Sequence, residues 1–145
     1  MAEQRLNDEQ YRELLSFRVA LRRFLRWSSA QAAGAGLTSQ QHQLLLAIRG
    51  HAGKDAPTIG DLAEHLLLRH HSVVELIDRT EHGGFVERMV DSDDRRVVRL
   101  HLTASGRRVL DRLSAQHLEE LARLAPIVGR LTRGLADDVT SAEHP

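Results

Sequence analysis

The chain has 145 residues, enough for one domain, or for one domain with a dimerisation extension. Twenty Lys and Arg balance twenty Asp and Glu, so any nucleic-acid role must rest on where charges point, not on their sum. The absence of cysteine excludes disulfides, thiol redox sensing and cysteine-ligated metals. No apolar run approaches the roughly 18 residues of a membrane span, and the N-terminus lacks a signal-peptide core, which predicts a soluble cytoplasmic protein without a membrane partner.

Only five residues are aromatic, so the core must be built from Leu, Val, Ala and Ile. Met1 to Leu6 reads as a loose tail. Asn7, with Gln10 three residues on, then caps a helix from Asp8 to about Ala32. Tyr11, Leu14, Leu15, Phe17, Leu21, Phe24 and Leu25 form its broad apolar stripe, and Arg12, Arg18, Arg22, Arg23 and Arg26 take much of the other side. Ala33-Gly34-Ala35-Gly36 breaks it. Thr38 and Gln41 cap a short helix carrying Leu44, Leu45 and Ile48 as far as about Gly50, and residues 51–57 read as a connecting loop.

The segment from Thr58 to Thr103 is the organising stretch. Thr58 and Asp61 stand three apart before an apolar run, so the threonine oxygen can take an orphan N–H while the carboxylate sits on the positive helix end. Ile59, Leu62, Ala63 and Leu66 give this helix one buried face. A second helix, from Arg69 to His82, buries Val73, Leu76, Ile77 and Thr80 and stops at Gly83-Gly84. Residues 86–90 and 98–102 alternate apolar and charged about a polar tip at Asp91–Arg96, the pattern of a hairpin. Helix, turn, helix and charged hairpin make a winged helix, whose second helix has the width of a DNA major groove.

Thr103 caps a last long helix with Val109, Leu110, Leu113, His117, Leu121 and Leu124 on one face. Pro126 ends that helix or starts the next, Ile127, Val128, Leu131 and Leu135 continue the pattern, and Ala136 to Pro145 reads as frayed. The predicted class is mainly α with a small β-hairpin wing, an α+β winged helix-turn-helix. Its single domain, 1–145, has a core at 38–102 flanked by helices at 8–33 and 103–136. Homodimerisation through Leu14, Phe17, Leu21, Leu118, Leu121, Leu124, Val128 and Leu131 explains the stripes. The alternative is that the two ends cover each other within one chain.

The sequence resembles the MarR (multiple antibiotic resistance regulator) family of winged helix-turn-helix transcriptional regulators. The resemblance rests on Leu62-Ala63, Leu76-Ile77-Asp78-Arg79 and Gly84-Phe85-Val86, and on a wing pattern with Asp94, Arg96, Leu102, Thr103 and Gly106 in register. Leu67 stands where the family usually has a small residue, and Arg69 where it often has a serine-like cap. The resemblance implies a dimeric DNA-binding regulator, a repressor of a palindromic operator relieved by a small aromatic or phenolic ligand. It also implies that Arg96 enters a minor groove and Asp94 orients it.

Arg69, His70, His71, Ser72, Glu75 and Arg79 are left for the outer surfaces of the second helix, and its first turns are where base edges are read in this architecture. Arg69 can fork onto guanine, and the histidines and Ser72 can donate to phosphates or bases. Glu75 can accept from cytosine or hold a neighbouring Arg. Arg95 and Arg96 at the tip suit a minor groove. Asp91 and Asp93 suit turn formation.

The expected ligand region involves Phe24, Trp27, His42 and His117, although His42 also reads as a core histidine with a satisfied partner and Trp27 as a packing residue. No metal is expected, since His70 and His71 diverge by about 100° on a helix. No cofactor or enzyme constellation emerges. The rival readings are a winged helix used for protein contact and a metal-responsive regulator.

Overall fold

A computed structural model describes residues 5–141, with side chains described through Arg133. The expected tail at Met1 to Leu6 and the expected frayed end therefore lie partly outside the described residues. Five helices and one antiparallel hairpin follow in the order α1 (Asp8–Gly34), α2 (Ser39–Gly50), α3 (Ile59–Leu66), α4 (His70–His82), β1 (Val86–Val90), β2 (Val98–Leu102) and α5 (Ala104–Ser141). The fold is a mainly helical winged helix. Among the described residues, no helix is long and apolar enough to cross a membrane.

The chain divides into two compact units, Ser29–Ala115 and the residues before and after it. In the Ser29–Ala115 unit, reciprocal capping boxes start two helices. Thr38 Oγ1 accepts from Gln41 N at 3.1 Å while Gln41 Oε1 accepts from Thr38 N at 2.8 Å. Thr58 Oγ1 and Asp61 Oδ2 do the same at 3.2 and 2.9 Å. Leu44, Leu45, Leu62, Val73, Ile77 and Leu100 are fully buried together. Thr80 is buried with them, and its hydroxyl donates to Leu76 O at 2.7 Å. That bond removes the cost of about 1–3 kcal/mol that an unsatisfied buried hydroxyl carries.

β1 and β2 pair from Val86↔Leu102 to Val90↔Val98. Residues 51–57 do more than connect. Thr58 bridges Arg99, and Leu100 N donates to Pro57 O at 2.9 Å, so the loop's end forms a third, minimal edge of the sheet. Pairing between residues forty apart leaves no local pattern, which hid it from the sequence.

The other unit holds the outer parts of α1 and α5. Asn7 Oδ1 accepts from Gln10 N, and Gln10 Oε1 from Asn7 N, each at 2.8 Å. Pro126 does not end a helix: α5 runs through it to Ser141, beyond the expected limit of Ala136. Proline removes one rung of the ladder, but here it is exposed, so water can take the carbonyl it leaves. The apolar phase also continues across it, through Leu124, Ile127 and Leu131, all half-buried.

Candidate nucleic-acid interface

Four buried side chains, Val73, Leu76, Ile77 and Thr80, fix the orientation of α4. Their three-and-four spacing leaves Arg69, His70, His71, Glu75 and Arg79 exposed, with Ser72 half-buried. Among the described residues, none of these six side chains makes a hydrogen bond or ion pair. Arg69 occupies the N-cap with extended backbone and makes no side-chain cap bond. The cap position therefore presents a guanidinium outward instead of satisfying its own helix.

The turn into α4 is strained. Leu67 follows α3 in the left-handed region, at φ 54° and ψ 40°, and its side chain is 91% exposed. A β-carbon in that conformation costs about 1–2 kcal/mol, which explains why a small residue is usual there. Leu68 N still donates to Ala63 O at 3.1 Å, closing the end of α3.

The wing tip is built by carboxylates. Asp91 Oδ2 accepts from the backbone of Asp93 and Asp94 at 3.1 and 2.9 Å, which is the turn-forming role expected of it. Asp91 Oδ1 also accepts from Arg99 Nε at 2.7 Å, and Arg99 Nη1 donates to Ala56 O at 2.7 Å. Asp94 accepts the backbone N–H of Arg96 and both sides of its guanidinium fork, each at 3.0 Å. Arg95 is exposed at the tip. The bond from Arg99, then that from the Asp94 N–H, hold the Asp91 carboxyl below its ordinary range, and those from Arg96 do the same for Asp94.

These pairings decide which charges of the segment stay free. Between Arg69 and Arg99 there are seven acids and six arginines, no basic excess. Yet Arg88 ties Asp78 and Glu81 together across α4 and β1, Arg99 takes Asp91, and Arg96 takes Asp94. Among the described residues this leaves Arg69, Arg79, Arg95, His70 and His71 as uncommitted donors, against Glu75, Glu87 and Asp93 as uncommitted acids. Arg88 and Arg99 were missed as organisers of the site. The signal was their place on alternating charged strands, where an inward or sideways Arg needs a partner.

The expected ligand residues divide. Phe24, Trp27 and His117 come together in one unit: the Trp27 and His117 rings lie 4.8 Å apart, Phe24 meets His117 edge-on at 5.9 Å, and His117 Nε2 lies 2.6 Å from Ser28 Oγ. His42 belongs to the other unit, where it is buried on α2. Among the described residues, no group of three or more His, Asp or Glu is arranged to hold a metal ion.

Residues 35–97 match the model of the MarR family. A transcriptional activatory protein, BadR of Rhodopseudomonas palustris, is 35% identical over 109 residues, 75% of this chain and 59% of its own length. These matches make the chain similar to MarR-family regulators. YsmB of Bacillus subtilis, an HTH-type transcriptional regulator, is 39% identical over 64 residues, 44% of each chain. The chain thus spans only about half the length of these curated relatives. Among solved structures, Staphylococcus aureus MepR matches with a TM-score of 0.70 at 20% identity, over 88% of this chain and 96% of its own. A MarR-family protein from Bacillus stearothermophilus matches at 0.70 and 21%, over 94% and 99%. At these identities the likeness establishes the fold.

The MarR wing pattern has a physical basis here. Thr103 Oγ1 donates to Gly84 O at 2.7 Å and accepts from Gly106 N at 3.0 Å, so one hydroxyl joins the end of α4 to the start of α5. A β-carbon on Gly106 would stand 2.1 Å from Phe85 O, so only glycine lets α5 approach the hairpin so closely. Gly84, at φ +83°, makes the reversal from α4 into β1.

Proposed function

We propose that the chain is a sequence-specific DNA-binding transcriptional regulator that acts as a homodimer and reads a roughly palindromic site. The observation that carries this reading is the first half of α4: exposed Arg69, His70 and His71 beside half-buried Ser72, uncommitted to any partner among the described residues, on a helix held by four buried side chains. In the proposed complex, paired α4 helices lie in successive major grooves about one helical turn apart. Arg69, His70, His71 and Ser72 contact bases and phosphates, Glu75 and Arg79 flank them, and Arg96, oriented by Asp94, enters the minor groove beside Arg95. The MepR structures, two of them with bound DNA, lend support by analogy of fold.

The dimer surface is the apolar stripe of the terminal helices. Leu14, Leu118, Leu121 and Val128 are exposed, and Phe17, Leu21, Leu124 and Leu131 are only half-buried. Such a patch on two long helices is what a helical dimer covers. A small aromatic or phenolic effector would act by shifting the distance between the two α4 helices, as a population shift of the dimer. The cluster of Phe24, Trp27 and His117 is the place in this chain where such a ring would find company.

The rival, a winged helix that contacts protein, draws on the zero net charge and the acidic wing, and the pairing of Asp91 with Arg99 and of Asp94 with Arg96 weakens the second ground. Selection of duplexes from a randomised DNA pool by the immobilised chain tests the reading. Enrichment of a two-fold-related sequence is expected, and a pool unchanged after repeated rounds with folded protein overturns it. A monomer mass by light scattering at micromolar concentration overturns the dimer.

A further inference from the structure

Leu67 is unfavourable twice over in the free chain. Among the described residues it is the only one other than glycine with a positive φ, and it is also the most exposed of the large apolar side chains. An exposed leucine by itself is ordinary, but a bulky one held in a left-handed backbone is not. The turn does not need it. Leu68 N donates to Ala63 O at 3.1 Å and Leu67 N to Glu64 O at 3.4 Å, the paired bonds that close a helix where glycine is usual. Leu66 and Leu68, on either side, pack against the core together with Ala63. Glycine would make the same stop with less strain, so neither capping nor packing accounts for the leucine. Strain of this kind persists at sites of contact with a ligand.

Its position indicates which ligand. Leu67 stands two residues before Arg69, so their backbones lie within about 7 Å of each other. In a helix-turn-helix the first turn of the second helix enters the major groove, which puts the preceding residues at the mouth of that groove. Base edges there show hydrogen-bond donors, acceptors and one apolar group, the C5-methyl of thymine. A leucine offers nothing to a phosphate or a polar edge, whereas against a methyl both surfaces leave water. We propose that Leu67 reads a thymine methyl in the major groove, beside the bases met by Arg69 and His70. It thereby adds a sequence preference that the polar donors of α4 do not supply. This inference rests on the DNA-binding reading above and extends it by one base.

The test uses the full chain and the operator selected from the randomised pool. Each thymine of a half-site, with its symmetry mate, is replaced by deoxyuridine, which lacks only the methyl. At one such position the parent chain should lose about fourfold in affinity per half-site, as expected for one buried methyl. Leu67→Ala should bind the thymine operator roughly tenfold more weakly and should bind the thymine and uracil duplexes alike, with an unchanged salt slope because no phosphate contact is lost. Leu67→Met, which keeps an apolar reach, should restore the preference for thymine. A selected operator that Leu67→Ala binds as tightly as the parent overturns the inference and leaves the DNA reading standing. So does a uracil penalty of equal size in both proteins, or a loss of affinity in Leu67→Ala with no methyl-sensitive position in the parent. A pool that yields no operator overturns the DNA reading and this inference together.

Discussion

The guanidinium of Arg96 grips the carboxylate of Asp94 with both arms of its fork, Nε to Oδ1 and Nη2 to Oδ2, each at 3.0 Å. The Arg96 side chain is nevertheless 90% exposed, so the pair holds direction without burying the charge. A surface pair of this kind contributes little to stability, because both groups are well solvated apart. Its effect is on the entropy of a side chain held at the tip of the wing. Arg96→Ala should therefore leave the urea midpoint unchanged and lower affinity for the selected operator by about tenfold. Asp94→Ala, which keeps the cation and releases it, should give a smaller loss. Equal operator affinity for Arg96→Ala and the parent chain in an anisotropy titration would remove the wing from the interface.

Arg69 stands at the N-cap of α4 without capping it. Arg69→Ser supplies the missing acceptor and should raise stability by about 1 kcal/mol. The same change removes a proposed base or phosphate contact, so operator affinity should fall while the thermal midpoint rises. Opposite signs in melting and binding experiments are the expected outcome. A variant that is more stable and binds equally well would mean that Arg69 faces solvent only.

Leu67 holds a left-handed backbone with its side chain in solvent. Leu67→Gly relieves about 1–2 kcal/mol of local strain and adds about 0.5–1 kcal/mol of unfolded-state freedom. The net expectation is a stabilisation of about 0.5–1 kcal/mol by urea unfolding. A destabilised Leu67→Gly would show that the leucine contributes contacts not present in the single chain.

The Asp61 carboxyl lies below its ordinary value of 3.8 chiefly because it accepts the backbone N–H of Thr58, with the Thr58 hydroxyl, His51 and His65 adding to the effect and burial opposing it. A carboxylate whose folded pKa is depressed contributes stability that is present above the unfolded value and is lost as pH falls through the folded one. The gap in urea midpoint between the parent chain and Asp61→Asn should be full above about pH 5 and should close below about pH 4. A gap that widens in acid would contradict the cap.

Local physics made much of this fold legible. The capping boxes at Asn7, Thr38 and Thr58 depend on residues three apart, and the burial of Val73, Leu76, Ile77 and Thr80 follows from helical spacing alone. The hairpin was visible for the same reason. What stayed hidden needs distant partners. Arg99 clasps Ala56 and Asp91 at once, and His51 Nδ1 meets His65 Nε2 at 2.9 Å across fourteen residues. Pro126 misled in the opposite direction: a sound local rule gave way to an exposed site and a continuous apolar stripe. At the candidate interface, sequence spacing picked out the exposed positions of α4. It could not reveal that Arg88 and Arg99 neutralise the neighbouring acids, because each of those pairs joins separate elements.

The most direct test of the account is fluorescence anisotropy of the full chain against the DNA upstream of its own gene and a scrambled duplex, at two salt concentrations. Much tighter binding to the native fragment, weakening as salt rises with a slope that counts the phosphate contacts, is the predicted result. Equal affinity for both duplexes, or no binding to either by a folded dimer, would contradict it.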